Sequence, residues 1–336
     1  MIRVVWMSLL ATIGWCDDRL CYECFDLKLK PVLDGRLDDD PAWVNVPKAT
    51  GFVRSGKNLQ LAIKQTSVRM GCWQDSLFVG IECLEPNMAG LRSNMPDMGK
   101  LWREDSIEVF LLPMVGKEPH HFIVTPKGAR WHAAPAPQRL ELSEWQAIAA
   151  KGQGKWSVEL RLPFKLFGKV PQPRDVWAGN FGRNTLNTPD EWSSCWVPLE
   201  GSFHDSNYYP KILFRREVIA PDQGAVAEAS LRNYSKGLFA KEIAKNVDSL
   251  SRTELFQRVY PEVPDESVVM GLRRQEEIKR TLALVDRLSL AELEALRSES
   301  GRLNSELNAR IDELKWKILV NQLISSAKFV GLNRLW

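Results

Sequence analysis

The stretch LWREDSIEVFLLP, residues 101–113, carries a tryptophan and then three acids into a segment that otherwise reads as a core strand. Side chains alternate across a strand, so Ile107, Val109 and Leu111 fall on one side and Ser106, Glu108 and Phe110 on the other. Glu108 therefore shares a face with a phenylalanine. A carboxylate in that position lies either on a solvated outer face, paired with Arg or Lys, or in a binding site.

Working outward, the chain from 27 to 216 reads as short strands and turns. TSVRMGCW (66–73), SLFVGIECL (76–84), HHFIVTP (120–126), WSVELRLPF (156–164), WAGNFGRN (177–184) and SCWVPL (194–199) are β-branched or aromatic-rich and partly alternating. Turn residues separate them at 74–75, 126–128 and 152–154. The turn after Trp73 joins strands of nearly equal length, as a hairpin would, and KLFG at 165–168 reads as one helical turn. The spacing predicts a mainly β fold, an immunoglobulin-like or jelly-roll-type β-sandwich over 27–216. Trp43, Trp156, Trp177 and Trp196 follow the strand pattern and are expected in its core.

Residues 217–230, with Pro221 and Gly224, read as a polar linker, and 231–336 as an α-helical, coiled-coil-like tail. One or two short helices end before Pro261, and a longer one follows Pro264. Ser289 and Glu292 form a capping box at the head of the last long helix. Leu293, Leu296, Leu303, Leu307, Leu314 and Ile318 then recur at steps of three, four and seven, a seam for a helical hairpin or for self-association.

The N-terminus pairs Arg3 with an apolar run at 4–13, the length of a signal-peptide core and too short to span a bilayer. Residues 1–15 are thus expected as a leader, with secretion or a periplasmic location as the consequence; a buried N-terminal strand is the alternative. Cys16 invites a lipoprotein reading, but Trp15 is a poor residue before a lipidated cysteine. Residues 16–26 form a cysteine-containing lead segment. An exported chain oxidises its cysteines, and at most one disulfide is expected near the N-terminus, its partners open. A zinc site would need a second CxxC beside Cys21 and Cys24.

The 336 residues allow about two domains. A net charge of +3 implies no strong nucleic-acid or membrane field, and no stretch is apolar enough to cross a membrane. His120, His121, His132 and His204 show no metal-ligand spacing. GxSxG, P-loop and HExxH motifs are missing. Glu104, Asp105 and Glu108 lie in one segment, whereas glycosidase carboxylates come from separate elements. Asp38, Asp39 and Asp40 offer oxygens to calcium, or make a turn that caps the segment from Pro41.

A sugar ring presents apolar CH faces and a hydroxyl rim. Aromatic rings stack on the faces, while carboxylate, amide or guanidinium groups bind the rim. Trp102 and Glu108 supply half of such a site. The segment LEGSFHDSNYYPKILF at 199–214 crowds Phe203, His204, Asp205, Tyr208 and Tyr209 into a loop before a final strand. The bland alternatives are a Trp102 covering one end of the core and a Phe203 folded onto it. Asn180 and Arg183 either brace the sheet or line the cleft.

The order of motifs resembles carbohydrate-binding module family 9, within the DOMON-like group of sandwiches. The matching pieces are LDGRLDDDPAW (33–43), DSLFVGIECLEP (75–86), LWREDSIEVFLLP, HHFIVTPKG (120–128), KWSVELRLPFKLFG (155–168), VWAGNFGRN (176–184) and EWSSCWVPLEGSFHDSNYYPKILF (191–214). They cover nearly all of 27–214 and none of the tail. The resemblance implies a non-catalytic module that binds poly- or oligosaccharide ends between two aromatics, in the company of polysaccharide-degrading enzymes. It places Trp102 as the first stacking ring, Glu108 as a hydroxyl-binding glutamate and Phe203 where a second tryptophan is expected. Ile123 stands where a sugar-binding arginine belongs and Glu200 where an asparagine belongs. His204, His121 and Arg183 are candidate replacements. A structural or assembly protein with a degenerate sugar site is the second reading. A haem-binding DOMON-like domain using Met70, Met95, Met98 or His121 is the third, and a glycoside hydrolase the last.

Overall fold

The computed structural model describes residues 20–55, 61–113, 118–186, 192–197, 203–248, 251–260 and 265–329. The expected leader at 1–15, Cys16 and Glu200 lie outside them. A mixed β-sheet sandwich fills the N-terminal part, and a bundle of long helices follows it.

Among the described residues twelve strands build the sandwich: β1 (Cys21–Asp26), β2 (Val53–Arg54), β3 (Thr66–Trp73), β4 (Ser76–Leu84), β5 (Ser106–Leu112) and β6 (His120–Val124), then β7 (Arg130–Ala133), β8 (Gln146–Gly152), β9 (Lys155–Pro163), β10 (Val176–Asn184), β11 (Ser193–Cys195) and β12 (Lys211–Val218). Their order is β7-β6-β5-β10-β12-β1-β3-β4-β9-β8, with β11 branching from β10 to β2. Alternation drives the folding of this path over one core. Ile107, Val109 and Leu111 meet Val68, Met70, Val79, Val158, Phe181 and Trp177 in a single buried cluster. Trp156, Trp177 and Trp196 are buried in it, and Trp43 packs on a smaller cluster with Leu37 and Phe78. The hairpin expected after Trp73 is present, with Trp73 facing Ser76 across Gln74 and Asp75.

The lead segment differs from its expectation. β1 is a central strand, parallel both to β12 (Cys21 opposite Lys211) and to β3 (Phe25 opposite Gly71). Tyr22 and Cys24 alternate into the core, and the Tyr22 hydroxyl donates to Pro47 O at 2.6 Å. Cys21 and Cys24, three apart on a strand, point to opposite faces, so the CxxC does not close a disulfide. No disulfide joins the described cysteines; Cys24 instead lies 3.7 Å from Cys72, Sγ to Sγ.

The acidic run makes a turn and a cap. Asp40 accepts from Ala42 N and Val32 N, each at 2.8 Å, and so caps the short 3-10 turn Pro41–Trp43. Asp38 pairs with Lys155. Among the described residues no group of three His, Cys, Asp or Glu side chains is placed to hold a metal ion.

The helices are α1 (Pro221–Asp248), α2 (Ser251–Val259), α3 (Glu266–Leu282) and α4 (Leu290–Phe329). The segment expected as a linker is the end of β12 and the first turns of α1. Gly224 explains part of this: a Cβ there would sit 2.1 Å from Asn45 O, so the helix runs hard against the sandwich where only glycine fits. The capping box of α4 is made, with Glu292 accepting from Ser289 N and Ser289 Oγ accepting from Glu292 N. The leucine seam is taken up inside the bundle. Leu293 and Leu296 pack on Phe239, Ile243 and Val247 of α1, and Leu307, Ile311 and Leu314 pack on Phe256 and Val268 of α2 and α3. The bundle also joins the sandwich, since Val53, Leu61 and Cys195 share the cluster of Phe239 and Ile243.

Gly→Ala in an open helix stabilises by about 1 kcal/mol. Gly224→Ala is expected to destabilise instead, because the added methyl meets backbone. A fall in the urea midpoint at unchanged slope checks this.

Candidate functional site

Strand register assembles the site. On the sheet face away from the main core, antiparallel pairing sets Trp131, Ile123, Glu108 and Gly182 side by side across β7, β6, β5 and β10. The next row holds Ala133, His121, Phe110 and Asn180. Residues directly opposite share a face, so these two rows form one platform. Phe203, from the loop before β12, covers Gly182; a Cβ on Gly182 would lie 2.7 Å from the Phe203 ring. The Tyr209 hydroxyl donates to Phe203 O at 2.5 Å and fixes that loop.

The acids of the opening stretch divide their tasks. Glu104 accepts from Asn94 N at 2.6 Å and Met95 N at 3.0 Å. Asp105 accepts from Arg92 N at 2.7 Å and Leu186 N at 3.2 Å. Burial raises the Asp105 pKa against the pull of those two amides. Together these carboxylates staple the loop that carries the 3-10 turn Leu101–Arg103, and so hold Trp102 over the platform. Trp102 remains 43% exposed and meets Trp131 edge-on, at 5.6 Å between centroids and 78° between planes.

Glu108 is the carboxylate of the platform and is buried, only 4% exposed. Asn184 Nδ2 donates to its Oε1 at 2.6 Å, and His121 Nε2 lies 2.7 Å from its Oε2. Each carboxylate oxygen has a second lone pair for a ligand hydroxyl. His121 is held flat on Phe110, with 4.0 Å between centroids and 21° between planes, and His204 stands nearly perpendicular to it at 5.2 Å. Burial and then the neighbouring His121 lower the His204 pKa, which favours the neutral imidazole.

Trp102, Glu108, His121, Trp131, Phe203 and His204 line a pocket of about 300 Å³. Four of the six residues picked from the sequence meet there: Trp102, Glu108, Phe203 and His204. His121, named as a replacement donor, meets them too. Ile123 lies beneath, fully buried, between Trp131 and Glu108.

Arg183 is not brought there. It alternates with Gly182 and Asn184, so it points to the opposite side of β10, where it is 1% exposed. Its Nη2 donates to Glu85 at 3.2 Å, and Lys64 Nζ donates to both oxygens of Glu85 at 2.7 Å. Arg183 therefore braces the sheet. Asn180 does the same, since its Oδ1 accepts from Phe181 N and Val197 N. Sequence reasoning missed Asn184 and Trp131. The period-2 rule applied to GNFGRN would have found Asn184, because Asn180, Gly182 and Asn184 share the Glu108 face. Met70 is buried in the main core, away from this platform, and so is no axial ligand for a group bound here.

No family model matches the chain, and no curated protein matches it. Among solved structures, a carbohydrate binding module family 9 from Caldicellulosiruptor kristjanssonii, determined with glucose and with cellotriose, is 16% identical; the likeness covers 59% of this chain and 98% of that one at a TM-score of 0.46. A Bacteroides uniformis protein proposed to bind carbohydrate is 14% identical, over 59% of this chain and all of its own, at a TM-score of 0.47. Likenesses this remote assign no function, which rests on the pocket.

Two outcomes are expected. His121→Leu raises the His204 pKa toward its ordinary value, because the electrostatic contribution of His121, which lowers it, is gone while that of Glu108, which raises it, remains; NMR titration of the ring nitrogens reads it. Arg183→Met lowers the unfolding free energy by about 3 kcal/mol, because a buried carboxylate loses one of two cations; denaturant unfolding reads that.

Proposed function

We propose that the pocket binds a sugar ring at the end of a poly- or oligosaccharide, and that it acts by holding the glycan rather than by chemistry on it. The observation that carries this reading is the pairing of aromatic walls with one clamped carboxylate. Trp102, Trp131 and Phe203 offer apolar surface for CH faces. Glu108, with His121 and His204, offers hydrogen-bonding groups at one rim. Small-molecule pockets run from roughly 300 to 1,000 Å³, and this one, at about 300 Å³, suits one or two rings.

The non-catalytic reading has its own support. Glycoside hydrolysis needs two carboxyl groups roughly 5 to 9.5 Å apart, and Glu108 is the single carboxylate among the described lining residues. Its hydrogen bonds from Asn184 and His121 hold it as an acceptor. The site differs from the resemblance in one stacking ring and in its donors: a phenylalanine replaces one tryptophan, and histidines replace arginine. A ligand with fewer acceptors at that rim follows from this. A role in polysaccharide catabolism outside the cytoplasm, following the leader expected at 1–15, completes the proposal.

A glycan array, followed by calorimetric titration of the best ligand, tests the reading. Trp102→Ala and Trp131→Ala are each expected to weaken binding by tenfold or more, about 1.4 kcal/mol. Trp192→Ala, an exposed tryptophan that does not line the pocket, leaves affinity unchanged. Equal affinity in all three variants would place the glycan elsewhere.

A further inference from the structure

The last helix changes character after Leu314. Up to that point its leucine and isoleucine side chains pack against α1, α2 and α3, and Ile318 is the last to pack on that cluster. Residues 321–325 are exposed on every side, yet the helix continues to Phe329. About three turns of α4 thus overhang the bundle. A free helix that short is marginal in water.

The overhang is not polar. Trp316, Leu319, Leu323 and Ile324 are 66%, 45%, 59% and 52% exposed, and Val320 is half-buried. Their spacing of three, four, seven and eight puts all five on one stripe. At 3.6 residues per turn, that stripe lies opposite the buried seam of Leu307, Ile311, Leu314 and Ile318.

Charge narrows what covers it. From Ile318 to Trp336 the only charged residues in the sequence are Lys328 and Arg334, and Phe329, Leu332, Leu335 and Trp336 add apolar groups. Just before the stripe, Lys315 and Lys317 lean on Asp312 at 3.7 Å and on Glu313 at 2.8 Å. Such exposed pairs are weak, so both lysines can be drawn to other anions. A second copy fits poorly. Five side chains over two turns fall short of the roughly 1,200 Å² that a stable interface buries, and the segment beyond Ile318 has no acid to meet the partner's cations. No described helix is long and apolar enough to cross a membrane. Trp, Leu and Ile on one face with lysines at its margins is the pattern of a helix lying in a lipid interface, where basic side chains are attracted to anionic headgroups.

We propose that the overhanging end of α4 docks along an anionic lipid surface, with Trp316, Leu319, Val320, Leu323 and Ile324 in the interface. Lys315 and Lys317 then lie at headgroup level.

Flotation of the full chain with vesicles tests this, comparing equimolar phosphatidylglycerol and phosphatidylcholine with phosphatidylcholine alone. Binding to the anionic vesicles, weakened by salt, is expected. The double variant Leu319→Asp, Leu323→Asp is expected to lower the bound fraction by about tenfold or more. Its circular dichroism and melting should stay unchanged, because both side chains are exposed. No flotation with either vesicle, or equal flotation with both, overturns the proposal. So does a concentration-dependent dimer that the double variant abolishes while vesicle binding is absent; that result would assign the stripe to a second copy.

Discussion

A carboxylate buried beside aromatic rings must be hydrogen-bonded, and Glu108 sets the terms for everything around it. Its position on β5 faces it away from Ile107, Val109 and Leu111, so the residues that make the core also make the site. Its two oxygens fix Asn184 of β10 and His121 of β6. His121 in turn lies flat on Phe110, and His204 closes against both. Leaving such a buried group without partners costs about 1–3 kcal/mol or more, so these side chains have little freedom to be placed differently.

The two sides of β10 show how one strand serves two purposes. Gly182 and Asn184 face the pocket, where the first admits the Phe203 ring and the second holds Glu108. Arg183, between them, faces inward and joins Lys64 on Glu85. The same division runs through the segment before β5. Glu104 and Asp105 hold backbone amides of the preceding loop, and the tryptophan two residues ahead of Glu104 is thereby presented to solvent above the platform. Rigidity on the inner side gives a fixed geometry on the outer one.

Strands with clear alternation were legible in the sequence. β3 and β4 run over the very residues expected from TSVRMGCW and SLFVGIECL, and the helix starting near Ser289 follows from its capping box. β1 was not legible, because CYECFD is short and its partners β12 and β3 are remote in sequence. The start of α1 was hidden by Pro221 and Gly224, which read as breakers; Pro221 stands in the first turn, where its missing N–H costs nothing, and Gly224 is needed for contact. In the site, Trp102 and Glu108 were readable from one segment. Arg183 was chosen by residue type over strand parity, and parity decides which side chains meet. Trp131 carries no local signal, since β7 joins the platform only through its pairing with β6.

The placement of β1 bears on when the sandwich can form. Its first residue pairs with Lys211 of the last strand, and its other edge pairs with β3. Nearly the whole β-region therefore lies between two strands that must sit side by side, a long loop to close before the contact is rewarded. As the chain leaves the ribosome, β3, β4, β8 and β9 can pair as they emerge, but the seam at β1 stays open until β12 has been made. Until then the edge of β1 that β12 covers is bare, in the manner of any unpaired strand. The pocket shares that delay, because Phe203 and His204 precede β12 directly. The binding surface is thus completed only at the closing step of the fold.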